Sequence, residues 1–300
     1  MKKTFAILGC IVTITTCTPA QQKVEQSSTI IDSTLQIKVD SILQNRLSEL
    51  DATSGQVIVM EVQTGEIKAS AGTELKPQES GLIRTASLLA ALETKTIQLS
   101  DTVDVDNGTL IIGKDTLLDH NWYRGGYEKI TIQQGFGLSS NIANYKTAKR
   151  TFKNAQAFAK ALAKYGYQVK DTSLVYNPSG YGVFTTPLQN LTFYNAIAQG
   201  TIVDKAAVND IKRALEYTVT DGLAKPAISD KVKIAGATGT IQLPNGEYAV
   251  EFCGYFPADN PQYSIIVSIN KKDKPASGGL MAGTVFKQIA EFLMATNDKK

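Results

Sequence analysis

The chain has 300 residues, of which 43% are hydrophobic and 20% are charged, and its formal net charge is +3. This composition is typical of a globular protein with one large domain or two small ones. The nearly neutral charge gives no electrostatic reason to expect binding to nucleic acid or to an anionic membrane surface.

The first 17 residues resemble a bacterial lipoprotein leader. Two lysines precede a short apolar run over residues 5–16, and Cys17 ends a lipobox-like sequence. The run is too short to span a bilayer, which needs about 20 residues. We therefore expect export and lipid attachment at Cys17, which would anchor the protein in a bacterial membrane, facing the periplasm or the cell exterior. Ordinary secretion with cleavage near Ala20 is the alternative.

The first part of the expected mature chain is predicted to contain a linker, followed by strands and a helix. The elements predicted up to residue 70 are a polar linker (18–33), a strand (35–39), a helix capped by Asp40 (40–50) and a hairpin (55–62 and 66–70). The second half of residues 79–93 then predicts a buried helix, because its apolar side chains, from Leu82 onward, form a wide stripe. Pro77 and Ser80 are suitable residues for its start.

Strands return near the C-terminus after a mainly helical middle. The elements predicted beyond residue 93 are strand fragments (101–121), a mainly helical region (130–194) broken at 176–187, a helix (208–219), strands (232–236, 238–242, 248–256, 263–269), a final helix (283–294) and a tail (296–300). This order indicates an α+β fold, in which helices flank an antiparallel sheet and a mainly helical subdomain is inserted.

Cysteine and histidine usage restricts the possible chemistry. With Cys10 removed and Cys17 lipidated, Cys253 would be the only free thiol, so no intramolecular disulfide is expected. Cys253 lies in an apolar run, which favours a buried structural role. No Cys/His cluster has zinc-site spacing, and we expect no cofactor. A Ser-His-Asp triad would have to use His120, the only histidine, whose surroundings indicate a polar loop.

Several short sequences together resemble the transpeptidase domain of penicillin-binding proteins, over residues 34–295. They are 52–55 with 57–60 and 64–67, the helix body 88–93, Ser139-Ser140-Asn141, 180–182 with 186–189, 235–240 and 254–261. They occur in the family's order and at plausible spacing. The resemblance implies the transpeptidase fold and a role in the cell wall, with a peptidoglycan stem peptide or cell-wall synthesis proteins as partners.

The family's reaction uses three motifs. S-x-x-K supplies a serine nucleophile and a lysine on the same helix face. S-x-N supplies a hydroxyl for proton relay and an amide for the substrate backbone. K-T/S-G lies on an edge strand, where its lysine attracts the substrate carboxylate. Only the second motif is intact here, as Ser139 and Asn141.

The other two motifs are altered at their reactive positions. Gly81 and Arg84 align with the serine and lysine of S-x-x-K, and Ala237 aligns with the lysine of K-T/S-G. Arg84 cannot act as a base, because the pKa of arginine exceeds about 12. Loss of a serine nucleophile alone typically costs about 10⁶ in rate. The residues left for ligand binding are Ser139, Asn141, Thr238, Gly239 and Thr240.

A relocated nucleophile would have to come from another serine. Ser80 precedes the motif position by one residue, which rotates its side chain by about 100° on a helix. Ser268 and Lys271 match S-x-x-K, but in a predicted strand they point to opposite faces. Ser139 and Lys146 would lie about 10 Å apart, too far for direct proton transfer.

Three functions remain open at this point. The first is a catalytically inactive, lipid-anchored family member that binds a peptidoglycan stem peptide or a cell-wall synthesis partner. The second is an active serine D,D-transpeptidase or carboxypeptidase with a relocated nucleophile. In the third, the cleft is vestigial and the protein is a structural partner of other envelope proteins.

Overall fold

The computed structural model describes residues 32–170 and 172–297. The predicted leader, Cys17 and most of the predicted linker lie outside these residues. Within the described part of the chain, no helix combines the length and the apolar character needed to cross a bilayer.

Eleven strands and eight α-helices form within the described residues. The strands are β1 (Ala52–Glu61), β2 (Ile67–Gly72), β3 (Gln78–Glu79), β4 (Thr102–Asp106), β5 (Thr109–Ile112), β6 (Asp115–Leu118), β7 (Glu128–Thr131), β8 (Phe184–Thr185), β9 (Ala235–Gln242), β10 (Tyr248–Phe256) and β11 (Tyr263–Lys271). The helices are α1 (Ser33–Glu49), α2 (Ile83–Glu93), α3 (Ile132–Gly137), α4 (Asn141–Thr151), α5 (Ala155–Ala163), α6 (Pro187–Gln199), α7 (Lys205–Thr220) and α8 (Thr284–Asn297).

Five strands form a central antiparallel sheet in the order β2-β1-β11-β10-β9. Strands from both ends of the described chain meet in it, because β1 pairs with β11, with Val57 opposite Val267. The other strands form three two-stranded pairs, β3-β8, β4-β7 and β5-β6. These pairs and helices α2 to α7 all lie between β2 and β9 in the chain. The predicted α+β fold with an inserted, mainly helical subdomain is therefore confirmed.

The central sheet separates two hydrophobic cores. Side chains alternate between the faces of a strand, and in β10 this alternation is regular. Phe252 and Phe256 face the core that contains α1 and α8. Cys253 and Tyr255 face the core that contains the inserted helices. Glu251 has the same parity as Cys253, so β10 directs a carboxyl group toward the inserted helices.

The strand predicted over residues 35–39 is wrong, because these residues belong to α1. Asp32, not Asp40, caps this helix, and its Oδ1 accepts hydrogen bonds from two backbone amides of the first turn at 2.9 and 3.0 Å. Ile37 is 72% exposed, whereas the residues two positions away on either side are buried. That burial pattern is helical rather than alternating. The helix begins at Ser33, inside the predicted linker.

Two smaller differences lie near the C-terminus. The strand predicted over residues 232–236 begins only at Ala235 and continues without a break to Gln242 as β9. The last helix continues to Asn297, two residues into the predicted tail.

Candidate functional site

The start of α2 is positioned by strand pairing and a close backbone contact rather than by a cap. The helix begins at Ile83 without a side-chain N-cap hydrogen bond. Just before it, β3 pairs with β8. Gly180 has a φ of 103°, and a Cβ atom there would lie 2.0 Å from the carbonyl oxygen of Ser80. Only glycine permits this approach.

Gly81, at the nucleophile position, packs directly on the edge strand β9. A Cβ atom on Gly81 would lie 2.9 Å from Cα of Gly239 and 2.9 Å from the backbone nitrogen of Thr240. These distances are shorter than Cβ atoms tolerate, so a larger residue would push α2 and β9 apart. Backbone of β9 therefore fills the space that the Cβ atom of a serine would occupy.

Ser80 points into the core and contacts a buried carboxyl group. Its Oγ donates to Oε2 of Glu251 at 2.6 Å and accepts from Nδ2 of Asn190 at 3.1 Å. Ser268 donates to the other oxygen of Glu251 at 3.0 Å. Ser80 and Glu251 are only 1% and 2% exposed. The serine next to the motif position therefore fixes the start of α2 to the sheet.

Burial changes the protonation of this carboxyl group. Desolvation raises the pKa of Glu251 to about 7, although hydrogen bonds from Ser80, Ser268 and the Gly81 amide favour the charged form. At neutral pH the carboxyl group is thus divided between its protonated and charged forms.

Arg84 connects α2 to the S-x-N motif. Its Nη1 donates to the carbonyl oxygen of Ser139 at 2.7 Å, and its Nη2 donates to Oδ1 of Asn141 at 3.0 Å. Its Nε is buried without a hydrogen-bond partner. Burial lowers the pKa of the guanidinium, while Tyr181, once ionised, and the charge of Asp119 oppose this shift. The residue at the general-base position therefore acts as a hydrogen-bond donor.

The S-x-N motif is fixed at the N-terminus of α4. Ser140 is the N-cap, and its hydroxyl donates to Oδ2 of Asp119 at 2.7 Å. The other oxygen of Asp119 accepts from the amide of Ile142 at 3.1 Å. Ser139 has a φ of 53°, a conformation that is uncommon for residues other than glycine. Nδ2 of Asn141 donates to the carbonyl oxygen of Leu118 at 2.7 Å.

The predicted site residues come together only in part. Arg84, Ser139 and Asn141 are in contact, whereas Gly81 meets Gly239 and Thr240 in a separate, closed contact. The other two K-T/S-G positions, Ala237 and Thr238, expose little surface to a ligand. Ala237 and Thr238 are 5% and 6% exposed. The neighbouring Thr240 is exposed, and its Oγ1 accepts from the amide of Gly278 at 2.9 Å and can still donate to a ligand.

The lysines considered as bases bind elsewhere. Lys146 donates to the carbonyl oxygen of Asp104 at 2.5 Å, and Lys271 donates to that of Pro275 at 3.1 Å. As predicted, Ser268 and Lys271 lie in a strand, β11. Lys146 is not hydrogen-bonded to Ser139, and Lys271 is not hydrogen-bonded to Ser268.

The other candidate groups also have structural partners. His120 interacts with the hydroxyl of Tyr127 at 3.1 Å, while the adjacent Asp119 binds Ser140 directly, so the three do not form a triad. Cys253 is fully buried and free, as predicted. Among the residues that the structure describes, no group of His, Cys, Asp and Glu could hold a metal ion.

A cleft of about 500 Å³ opens beside Asn141. Leu118, Tyr176, Tyr181 and Gly182 are among the residues that line it. Its mainly apolar lining with a few polar side chains, and its volume, suit a short peptide or a similar small ligand. Asn141, which binds Arg84, lines this cleft directly.

Sequence reasoning missed Glu251, Asn190 and Asp119. A single acidic residue within the apolar strand β10 was a usable signal for Glu251. The partners of the other two are distant in sequence: Asn190 binds Ser80 and Asp119 binds Ser140. Spacing along the chain therefore could not reveal these contacts.

An antiparallel sheet with an inserted helical subdomain, an intact S-x-N motif at the start of α4, and altered S-x-x-K and K-T/S-G positions before α2 and on β9 define a serine acyltransferase fold of the transpeptidase type. The family model for the penicillin binding protein transpeptidase domain matches residues 55–291. The chain belongs to this family.

Two curated relatives are similar over parts of their length. Penicillin-binding protein PbpB of Mycolicibacterium smegmatis is 22% identical, and the match covers 88% of this chain and 53% of the relative. Stage V sporulation protein D of Bacillus subtilis is 30% identical over 100 residues, which are 31% of this chain and 16% of the relative. The chain thus spans about half, or less, of each.

Solved structures support the fold. A peptidoglycan glycosyltransferase from Burkholderia ambifaria has a TM-score of 0.77 at 21% identity, with 89% of this chain and 97% of that chain covered. The TP domain of penicillin-binding protein 3 from Burkholderia pseudomallei also has a TM-score of 0.77, at 20% identity, with 89% and 96% covered.

Proposed function

We propose that this protein is a catalytically inactive member of the transpeptidase family that binds a peptidoglycan stem peptide at the bacterial cell envelope. The contact of Gly81 with β9 carries this proposal, because position 81 has no nucleophile and the contact leaves no space for a serine side chain there. Arg84 supports it, because a buried arginine that donates two hydrogen bonds is not a proton acceptor.

An active enzyme with a relocated nucleophile is the second candidate. The pair of Ser80 and Glu251 favours it, since a serine hydroxyl lies 2.6 Å from a carboxyl group whose pKa is raised to about 7. Burial argues against it. Ser80 is 1% exposed, and its Oγ also accepts hydrogen bonds from Asn190 and from the amide of Leu82.

Reaction with a fluorescent penicillin separates these two candidates. The purified protein is incubated with the label and run on a denaturing gel beside an active penicillin-binding protein. We expect no covalent band for this chain. A band would contradict the inactive assignment. Repetition with Ser80→Ala would then show whether Ser80 is the acylated residue.

Calorimetry with a stem peptide tests the binding part of the proposal. We expect saturable binding of a diacetyl-L-Lys-D-Ala-D-Ala peptide. An unreactive protein that also fails to bind this peptide would favour a purely structural role among envelope proteins.

The proposed location is a bacterial membrane, through a lipid on Cys17. The lysines, the apolar run and the lipobox-like sequence of the first 17 residues support it. Labelling of cells with a clickable palmitate should mark the wild-type protein and not the Cys17→Ala variant. Equal labelling of both, or of neither, would contradict this attachment site, and absence of label would favour ordinary secretion.

A further inference from the structure

We infer that Arg84 is a carboxylate-binding residue, and that the cleft beside Asn141 therefore selects ligands that carry a carboxylate. This inference rests on the proposed function and names the residue that would recognise the acidic end of the peptide. Its support comes from the charge, the hydrogen bonds and the location of Arg84.

The charge of Arg84 has no directly bound counterion. The side chain is 7% exposed, and both of its acceptors, the carbonyl of Ser139 and the amide oxygen of Asn141, are neutral. Among the described residues, no carboxylate oxygen lies within 4.0 Å of it. Asp119 acts on it only from a longer distance, and both oxygens of that carboxylate already accept hydrogen bonds. Buried charges in proteins are normally paired, so this site favours an anion.

One edge of the Arg84 guanidinium carries two hydrogen-bond donors, of which only one has a partner. The N–H bonds of Nε and Nη2 point in the same direction, and this edge binds carboxylates through two parallel hydrogen bonds. Here Nη2 holds the amide oxygen of Asn141 at 3.0 Å, and Nε has no partner. A carboxylate would satisfy both donors where the neutral amide oxygen satisfies one.

Asn141 connects this edge to the cleft. It is partly buried, it binds Nη2 of Arg84 and it lines the cleft together with Tyr181. Tyr181 lies close enough to Arg84 for the positive charge to counteract the rise in the pKa of Tyr181 that burial causes. A ligand carboxylate in the cleft would reach the edge once the Asn141 side chain turns aside. The exchange replaces one hydrogen bond to a neutral amide oxygen by two hydrogen bonds to a charged carboxylate.

The position aligned with the K-T/S-G lysine cannot take this role in this chain. Ala237 is 5% exposed and lies in the apolar core on the side of the inserted helices. A carboxylate bound by Arg84 would therefore lie beside α2 and α4 and not on the edge strand β9.

Calorimetry with a matched peptide pair tests the inference. Diacetyl-L-Lys-D-Ala-D-Ala is compared with the same peptide carrying a C-terminal amide. We expect the acid to bind the wild-type protein about tenfold more tightly than the amide. The Arg84→Gln variant should bind both equally, and Arg84→Lys should keep part of the preference, because it keeps the charge but not the two-donor edge.

Arg124→Gln is the matched control. It also removes one positive charge, but Arg124 is exposed and stacks on Tyr123 at 5.1 Å. The Arg124→Gln variant should prefer the acid over the amide as strongly as the wild-type protein does. If Arg124→Gln lowered the preference as much as Arg84→Gln, general electrostatic attraction would explain it and the inference would be wrong.

The outcomes distinguish this inference from the proposed function. Equal binding of acid and amide to the wild-type protein would overturn the role of Arg84 and leave stem-peptide binding intact. Absence of binding for both peptides would overturn the binding function itself, and the inference with it. The comparison of acid and amide on the wild-type protein can overturn the role of Arg84 even if the Arg84 variants do not fold.

Discussion

Single glycines determine how closely the helix and the edge strand of the candidate site approach. Gly81 and Gly239 face each other, and a Cβ atom on Gly239 would lie 2.8 Å from Oε2 of Glu251. A serine at position 81 would require more space between α2 and β9. The absence of a side chain at position 81 and the close packing of α2 on β9 therefore depend on each other.

This contact predicts that Gly81→Ala is destabilising. The added Cβ atom must displace backbone of β9, which typically costs about 1–3 kcal/mol. Urea denaturation measures the loss. Gly283→Ala is the control, because its Cβ atom would meet its nearest neighbours at 3.4 Å, an ordinary contact. If Gly81→Ala were as stable as Gly283→Ala, α2 and β9 would not be in the close contact described.

At the scale of elements, the N-terminus of α4 depends on a side chain from outside the helix. Asp119 follows β6 and accepts hydrogen bonds from Ser140 and from the amide of Ile142. An acidic group at a helix N-terminus also interacts favourably with the helix dipole. Through these contacts Asp119 positions Asn141 beside Arg84, so the geometry of the cleft depends on it.

We expect Asp119→Ala to cost about 1–3 kcal/mol, because buried donors lose their acceptor. The amide of Ile142 should also lose protection against hydrogen exchange. Asp32→Ala is the matched control: it removes the cap of α1 at a cost of about 1 kcal/mol and should leave exchange in α4 unchanged. Unchanged protection of Ile142 in Asp119→Ala would contradict this anchoring role.

The sequence predicts helices and strands well where its apolar residues follow only one periodicity, that of a helix or that of a strand. The strands β10 and β11 were predicted within two residues, because both are apolar runs that a turn separates. Residues 35–39 fit both the strand periodicity and the helix periodicity. Their alternation suggested a strand, but Leu35 and Val39 are four residues apart and share a face of α1, and Ile37 is exposed. Only packing against the sheet decides between the two.

The site was predicted in its positions but not in its contacts. The order of the motifs located Gly81, Arg84 and the S-x-N segment, because each occupies a fixed place in the family fold. The packing of Gly81 on β9 could not be predicted, because it depends on how two distant segments meet. The same holds for the contact of Ser80 with Glu251, which are 171 residues apart.

At the scale of the whole molecule, Glu251 lies between the central sheet and the inserted helices. It comes from β10 and binds Ser80, before α2, and Ser268, on β11. The three hydrogen-bonded segments belong to different parts of the chain and meet only in the folded state. Protonation of one buried carboxyl group is therefore linked to global unfolding.

The linkage predicts that stability falls as the pH rises from about 4.5 to about 7. The pKa of Glu251 is about 7 in the folded protein, compared with an ordinary value of 4.5. Between these values the folded protein holds a proton that the unfolded chain has released, so the full contribution is present below pH 4.5 and is lost by about pH 7. The difference between these two pKa values corresponds to roughly 3 kcal/mol.

Glu251→Gln should remove this contribution, because glutamine keeps the shape of the protonated side chain and does not titrate. Urea denaturation of both proteins at several values between pH 5 and pH 8 gives the difference in free energy of unfolding. We expect the variant to gain stability relative to the wild type as the pH rises, until the difference becomes constant above about pH 7. Ser268→Ala should keep a pH dependence of the same sign and move its upper end to higher pH, because that variant removes a hydrogen bond that favours the charged form and leaves the carboxyl group buried. Parallel curves for Glu251→Gln and the wild type would show that Glu251 ionises equally in the folded and unfolded chain, which its burial between two layers of the fold argues against.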